Sequence, residues 1–169
     1  MLRSRLFARL VLAGALLTPA FAWAAPNIIY VTRHGEKAAD AKDPDLTAQG
    51  QDRARTLARM LGKAGIGAVF STPTKRTRQT AQPLAALAGV EVQAYDPAKP
   101  GAMVDKVKAL AGAVLVVGHS NTVPDLVKLL GGAAVPPIAD DEFDRLYQLI
   151  VAADGTVTTV LLTTVAAPL

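Results

Sequence analysis

The sequence predicts an α/β fold: a mostly parallel sheet with helices on both faces and a hairpin at the C-terminal end. Three observations lead to this prediction. Apolar segments of strand length alternate with segments of helical periodicity along most of the chain. The strongest strand segments show no polar alternation, which is typical of strands buried on both faces. The last two apolar segments flank Ala153-Asp154-Gly155, residues that favour a tight turn.

The first 24 residues have the features of a secretory signal peptide. A short apolar segment at 10–22 precedes small residues of the kind that signal peptidase reads. The basic residues before it are Arg3, Arg5 and Arg9. We expect cleavage after Ala24, one domain over residues 25–169, and a periplasmic or secreted protein. An uncleaved anchor is the alternative, but a membrane span needs about 20 apolar residues, and this segment is shorter and contains Pro19.

The net charge of the chain comes mostly from this N-terminal segment. The chain has 18 Lys and Arg against 14 Asp and Glu, but three basic residues and no acidic residue precede residue 25. The remaining charges nearly balance and are well mixed, which argues against a nucleic-acid partner, since that partner would need a basic face. The chain contains no cysteine, so disulfides and thiolate metal sites are excluded.

The first half of the domain alternates strand and helix. Residues 27–32 form a continuous apolar strand segment, and residues 46–61 have apolar side chains at helical spacing. A short strand is predicted at 68–71 and a second helix at 74–87. Pro83 argues against a regular last turn in that helix, because proline removes a backbone hydrogen bond.

The second half continues the alternation and then changes. The predicted elements are a strand at 90–95, a helix at 102–111, the most apolar strand at 113–118 and a helix at 122–131. Pro124 falls in the first turn of the last helix, where proline is tolerated. Two strand-like segments follow and predict the C-terminal hairpin.

The two histidines of the chain both follow predicted strands. His34 comes directly after Arg33 at the end of the first strand, and His119 follows Gly118 at the end of the most apolar strand. Ligands of an open α/β sheet bind beyond the carboxyl ends of its strands. A lone histidine at a strand end is more often structural, but two of them beside glycine predict a ligand site. Glycine lets the backbone approach a ligand closely.

A basic segment, STPTKRTRQTA, starts the second predicted helix. The hydroxyl residues suited to cap this helix are Ser71, Thr72 and Thr74. Arg76 lies in the first turn, where a positive charge opposes the helix dipole. An anion at the helix N-terminus would remove this conflict, because the guanidinium could grip it with two hydrogen bonds. We expect Lys75 and Arg78 to face solvent. Two arginines, two histidines and a helix N-terminus then meet at one tetrahedral anion.

Four segments between residues 28 and 121 resemble motifs of the histidine phosphatase superfamily, which includes phosphoglycerate mutases and small phosphohistidine phosphatases. In chain order they are TRHGE, LTAQGQDRA, STPTKRTRQTA and VVGHSN. The resemblance implies the family's three-layer α/β sandwich. It also implies that His34 is the nucleophile, while Arg33, Arg76 and His119 hold the equatorial oxygens of the phosphoryl group. No cofactor and no metal are implied.

Phosphohistidine chemistry agrees with these residue types. Phosphoryl transfer depends chiefly on positioning and on stabilising the charge on the phosphoryl oxygens. A neutral imidazole is a competent nucleophile, which suits His34. His119 is most useful as a cation or hydrogen-bond donor. We therefore expect the two imidazoles to titrate at different pH values.

The proton donor for the leaving group has no clear match to the family pattern. The interval between the second arginine motif and the second histidine motif is too short for the insertion that carries a glutamate donor in the phosphoglycerate mutases. The His-Asp pair of the phytase branch is missing, because Ser120 follows His119. Asp96, just after a predicted strand, is the first candidate and Glu36 is the second. Either carboxylate is equally compatible with a surface position.

Together these features predict an exported phosphomonoesterase with an open site. We expect its partner to be a phosphorylated small molecule or a phosphate on an envelope glycan or lipid, with no stable membrane insertion after signal cleavage. One alternative is a protein phosphohistidine phosphatase, which the short chain favours and export disfavours. Others are a noncatalytic domain that binds an anion or a partner, and a metal-binding module, for which a third ligand is missing.

Overall fold

A computed structural model describes residues 27–39 and 42–165. The signal peptide predicted at residues 1–24 lies outside the described residues. The elements are β1 (Asn27–Arg33), α1 (Ala48–Leu61), β2 (Ile66–Ser71), α2 (Lys75–Ala88), β3 (Val92–Ala94), α3 (Gly101–Ala109), β4 (Ala113–Gly118), α4 (Val123–Leu129), β5 (Arg145–Val151) and β6 (Val157–Thr163). Within the described ranges, no helix combines the length and apolar character that a bilayer span requires.

The six strands form one sheet in the order β3-β2-β4-β1-β5-β6. Strands β1 to β4 run parallel, whereas β5 is antiparallel to both β1 and β6. The predicted mostly parallel sheet and the C-terminal hairpin are therefore confirmed. The predicted bounds of the first eight elements differ from the observed ones by at most two residues at either end.

Both faces of the sheet are covered, and each central strand contributes to two cores. In β4, Val114 and Val116 belong to the core that includes α3 and α4, whereas Leu115 and Val117 belong to the core that includes α1 and α2. Successive strand side chains point to opposite faces. A strand covered on both sides therefore needs apolar residues at every position, which explains the unbroken apolar sequence of β4.

The helices on the face that carries α1 and α2 begin and end at recognisable signals. The Oγ1 atom of Thr47 caps α1 by accepting a hydrogen bond from the backbone nitrogen of Gly50 at 3.1 Å. Pro83 does not interrupt α2, which continues to its C-cap at Gly89. The helix therefore keeps its last turn, and Leu84 and Ala85, which follow the proline, are buried.

The strand order brings three strand ends together. In the parallel pair β1 and β4, Arg33 lies opposite Gly118, and the backbone nitrogen of His34 donates to the Gly118 oxygen at 3.0 Å. On the other side of β4, Ser71 of β2 pairs with Val117. The residues that follow β1, β2 and β4 therefore emerge side by side at the carboxyl edge of the sheet.

Gly50 lets α1 pack closely against the chain that follows β1. A Cβ atom added to Gly50 would lie 2.2 Å from the main-chain oxygen of Glu36, and one added to Gly35 would lie 2.8 Å from the main-chain oxygen of Gly50. The same Glu36 oxygen accepts a hydrogen bond from the Thr47 nitrogen at 2.9 Å. The LTAQG motif thus fixes the backbone just beyond His34.

We expect Gly50→Ala to lower the free energy of unfolding by about 1–3 kcal/mol, the usual cost of forcing atoms into a packed site. Urea denaturation of the purified protein measures this change. Gly101→Ala is a matched control, because nothing lies within 4 Å of a Cβ added there. The control should be as stable as the wild type or more stable, since alanine favours helix. Wild-type stability of Gly50→Ala would contradict the packing role.

Candidate active site

Three of the four predicted phosphoryl-binding residues form one cluster at the carboxyl edge of the sheet. The rings of His34 and His119 meet edge to face, with centroids 5.4 Å apart. Arg76, in the first turn of α2, contacts both rings. Its Nε donates to Nε2 of His34 at 3.3 Å, and its Nη2 lies 3.5 Å from Nδ1 of His119. The fold thus brings these side chains together, and their catalytic roles stay predictions.

The imidazole of His34 is held in one tautomer. Its Nδ1 lies 2.7 Å from the carbonyl oxygen of Gly35. A carbonyl oxygen can only accept, so Nδ1 carries the proton and Nε2 carries the lone pair. Thr80 holds this turn in place, because its Oγ1 accepts from the Gly35 nitrogen at 3.0 Å and donates to the Arg76 oxygen at 2.8 Å. The lone pair of His34 therefore faces Arg76.

Both imidazoles are neutral at neutral pH. Burial and the charges of His119, Arg33 and Arg76 lower the pKa of His34 to about 4, although its hydrogen bond to the Gly35 oxygen opposes this change. Burial and the charges of Arg76 and Arg33 lower the pKa of His119 to about 4 as well. The direction is the same for both groups because both are buried beside the same two arginines, and their separate titration stays a prediction.

Arg33 anchors the loop between α4 and β5. Its terminal nitrogens donate at 2.7–3.0 Å to the carbonyl oxygens of Ala139, Asp140 and Glu142. The ring of Phe143 lies 4.0 Å from its guanidinium carbon and 6.1 Å from the His34 ring. The buried Nε of Arg33 has no hydrogen-bond partner in the described part of the chain. This donor is therefore not committed to the loop.

The N-terminus of α2 is occupied by a carboxylate of the chain itself. Oδ1 of Asp43 accepts a hydrogen bond from the Lys75 nitrogen at 3.0 Å and lies 3.6 Å from Nη1 of Arg76. Asp43 thus lies at the helix end where a tetrahedral anion is predicted, and binding of that anion stays a prediction. Lys75 and Arg78 are exposed, as expected. With Nη1 directed at Asp43, Arg76 has Nε and Nη2 for the two histidines.

Asp96, the first candidate proton donor, follows a strand that lies far from His34. It follows β3 at the edge of the sheet, three strands from β1, which is about 14 Å at the usual strand spacing. Its exposed carboxylate accepts a hydrogen bond from the Ala98 nitrogen at 2.9 Å and so stabilises a surface turn. The structure therefore argues against Asp96 as the acid.

Glu36, the second candidate, lies beside the site but is committed to an ion pair. The Nε and Nη2 atoms of Arg53 donate to its carboxylate oxygens at 2.5–3.1 Å. Burial raises the pKa of Glu36, but the hydrogen bonds from Arg53 outweigh burial and hold the pKa below its usual range. Because the carboxylate stays ionised at neutral pH, Glu36 is unsuited to donate a proton.

Several residues around the cluster were not anticipated as site residues. Asp43 and Phe143 reach it from distant loops and carry no local sequence signal. Thr72 was considered only as a helix cap, yet its Oγ1 lies 3.0 Å from Nε2 of His119. Thr74 occupies the N-cap position of α2, but its side chain makes no capping hydrogen bond. In the described ranges, no group of three His, Cys, Asp or Glu side chains is placed to hold a metal ion.

The fold and the cluster define a class: α/β sandwiches with two histidines and an arginine at the carboxyl edge of a mostly parallel sheet. The family model of the histidine phosphatase superfamily (branch 1) matches residues 29–97. Over 71 residues the chain is 39% identical to a probable phosphoglycerate mutase, GpmB, of Serratia proteamaculans. This alignment covers 38% of the chain and 33% of the relative, so the chain matches about a third of that relative's length.

Two solved structures show the same fold. The protein histidine phosphatase SixA, complexed with tungstate, is 21% identical with a TM-score of 0.65, covering 81% of this chain and 97% of its own. A mycobacterial glucosyl-3-phosphoglycerate phosphatase is 14% identical with a TM-score of 0.63, covering 84% of this chain and all of its own. The chain is thus similar to the histidine phosphatase superfamily (branch 1) in sequence over residues 29–97 and shares the fold of these two structures.

The matched family segment includes His34 and Arg76 but ends before His119. The place of His119 in the site rests instead on its contacts with Arg76 and Thr72. The family model therefore supports the positions of His34 and Arg76 in the site, whereas the position of His119 is supported by the structure.

We expect the protein to lose stability as the pH falls from 6.5 towards 4. A buried histidine whose pKa drops from 6.5 to about 4 on folding takes up its proton more readily in the unfolded chain across this window. By linkage, His34 alone removes about 2 kcal/mol of the free energy of unfolding between pH 7 and pH 5. Urea denaturation at both pH values measures the loss.

His34→Gln is the matched variant, because glutamine does not titrate. Between pH 7 and pH 5, this variant should lose about 2 kcal/mol less of its free energy of unfolding than the wild type. Glu36 does not confuse this comparison, since its pKa lies below 4.5 and its own effect begins below pH 5. Identical pH dependence in the wild type and His34→Gln would show that His34 is not a buried neutral group.

Proposed function

We propose that this chain is an exported phosphatase that hydrolyses phosphate monoesters through a phosphohistidine on His34. One observation carries the proposal: the neutral imidazole of His34 presents the lone pair of Nε2 to Arg76, which also contacts His119. A nucleophile, a fixed cation and a second imidazole within hydrogen-bonding reach supply what phosphoryl transfer to nitrogen requires.

The first step forms the bond between nitrogen and phosphorus. Nε2 of His34 attacks phosphorus while the bond from phosphorus to the leaving oxygen breaks. Arg76 exchanges its 3.3 Å contact with Nε2 for contacts with phosphoryl oxygens, and Nε of Arg33 binds another. His119 donates to the remaining oxygen from Nδ1 after it takes up a proton from the bound phosphate monoester or from solvent. The hydrogen bond from Nδ1 to the Gly35 oxygen stabilises the positive charge that develops on the ring.

The second step releases phosphate. Water attacks phosphorus, the bond between phosphorus and Nε2 breaks, and the electron pair returns to Nε2. Inorganic phosphate leaves with the oxygen of the water, and one proton passes to solvent or to the phosphate. The same donors stabilise both transition states, because the phosphoryl oxygens occupy the same positions in each step.

The proposed mechanism favours substrates with good leaving groups. With Asp96 and Glu36 set aside, the leaving oxygen takes its proton from solvent. General acid catalysis by a side chain is typically worth about 10² to 10⁴ in rate. Without it, aryl phosphates should react faster than alkyl phosphates, since an aryl oxygen leaves without prior protonation.

A protein phosphohistidine phosphatase is the second candidate function. An imidazole leaving group gains a proton easily near neutral pH, so a site without a placed acid suits phosphohistidine. The likeness of the fold to the protein histidine phosphatase SixA supports this candidate. Comparing kcat/KM for a phosphohistidine peptide with that for an aryl phosphate distinguishes the two functions.

The substrate class follows from the proposed location. A protein exported by residues 1–24 would meet phosphorylated small molecules and the phosphates of envelope glycans and lipids. N-terminal sequencing of the protein recovered from outside the cytoplasm tests this location. A chain that begins at Ala25 supports export, whereas a chain that retains residues 1–24 and stays in the cytoplasm contradicts it.

We expect brief exposure to an aryl phosphate labelled on phosphorus to place the label on His34. The denatured protein is kept at alkaline pH, because phosphohistidine is labile in acid, and the labelled peptide is identified by mass spectrometry. His34→Ala should remove the label and lower kcat by about 10³-fold or more, since it deletes the nucleophile.

Arg78→Ala serves as the control for this experiment, because Arg78 is exposed on the same helix as Arg76. It should retain the label and nearly the wild-type kcat. A label on any other residue, or substantial turnover by His34→Ala, would refute the proposed intermediate.

A further inference from the structure

We infer that Thr72, supported by Thr77, is a positioning residue that fixes the tautomer of His119. Only the kinetic part of this inference rests on the proposed phosphatase function. Thr72 follows β2 and is fully buried, with its Oγ1 lying 3.0 Å from Nε2 of His119. Thr77, one turn into α2, is fully buried beside it.

The proton of His119 can be located from groups that only donate or only accept. The guanidinium of Arg76 only donates, so Nδ1 of His119, 3.5 Å from Nη2, is the acceptor. The ring is neutral at neutral pH because its pKa lies near 4, and it therefore carries one proton. That proton is on Nε2, which donates to the hydroxyl of Thr72.

Thr77 determines the direction of the remaining hydroxyl groups. Its Oγ1 lies 3.0 Å from the Thr72 carbonyl oxygen and 2.9 Å from the Thr74 carbonyl oxygen, and a proton donated to either carbonyl leaves its lone pairs free. Its lone pairs then accept from the hydroxyls of Thr72, at 2.9 Å, and Thr74, at 2.8 Å. Thr72 thus donates to Thr77 and offers His119 only lone pairs.

The opposite tautomer of His119 would disrupt this network. An Nδ1 proton would face the N–H groups of Arg76, and Nε2 would need the Thr72 proton. The Thr77 proton would then have to turn from the carbonyl oxygens to Thr72, 2.9 Å away. Buried polar groups without a proper partner cost about 1–3 kcal/mol each, so the network selects the Nε2 tautomer.

The two histidines of the site therefore carry their protons on opposite nitrogens. His34 is protonated on Nδ1, where it donates to Gly35, and His119 on Nε2, where it donates to Thr72. A second proton on His119 can enter only at Nδ1, the atom that faces Arg76. Thr72 continues to accept from Nε2 in the resulting cation and so stabilises the form that binds a phosphoryl oxygen.

The direct test is ¹⁵N NMR of the wild-type protein labelled at histidine nitrogens. Long-range couplings in the imidazole ring distinguish the two neutral tautomers. The chain contains two histidines, so the spectrum of His34→Gln assigns both rings. We expect His119 to be protonated on Nε2 and His34 on Nδ1. A His119 protonated on Nδ1 overturns the inference, and this result does not depend on whether the protein is a phosphatase.

Thr72→Val removes the hydroxyl and keeps the shape of the side chain. We expect His119 to become a mixture of tautomers, and kcat for an aryl phosphate to fall by about 10- to 100-fold, the range for a hydrogen bond to a charged group. KM should change by less than about threefold, because the interaction is strongest in the transition state. Thr72→Ser, which restores the hydroxyl, should recover both the spectrum and kcat.

Two further variants complete the test. Thr77→Val removes the acceptor of the Thr72 proton and should also give mixed tautomers. Thr32→Val is the control, because the buried hydroxyl of Thr32 contacts only the carbonyl oxygens of Arg33 and Arg145; the His119 tautomer should be unchanged. A wild-type His119 spectrum in both Thr72→Val and Thr77→Val overturns the positioning role, even if kcat falls.

Discussion

The contact of one guanidinium with two imidazoles is the interaction on which the site depends. Arg76 directs Nε to His34, Nη2 to His119 and Nη1 to Asp43. Its side chain is only 18% exposed, and its positive charge helps to keep both imidazoles neutral. Asp43, at 44% exposure, is more solvated and offsets this charge incompletely. A largely buried cation beside neutral groups favours binding of another anion.

The sheet order places these side chains within reach of one another although they are far apart in the chain. The parallel register of β1 and β4 puts His34 and His119 at the same level, and β2 delivers α2 on the other side of β4. Close packing then restricts the positions that the two histidine rings can adopt. Gly50 allows α1 to press against the backbone beyond His34, and the buried hydroxyl of Thr72 holds the ring of His119.

The elements and the strand-end positions of both histidines could be predicted because they depend on local patterns of apolar residues. The parts that were missed or misassigned depend on contacts between distant residues. Arg33 donates to a loop more than 100 positions away. Asp96 follows a strand that the sheet order places at the edge, and no local pattern reveals that order. The lowered pKa values of both histidines likewise arise from burial beside shared arginines, which only the assembled site contains.

Binding of a tetrahedral oxyanion tests the role of Arg76 most directly. Calorimetric titration with tungstate would compare the wild type, Arg76→Gln and Arg78→Gln at one pH and one ionic strength. Loss of a charge-assisted contact should weaken binding by about 10- to 100-fold in Arg76→Gln. Arg78→Gln loses the same charge from an exposed position on the same helix and should bind as tightly as the wild type. Equal tungstate affinity of Arg76→Gln and the wild type would contradict the central role of Arg76.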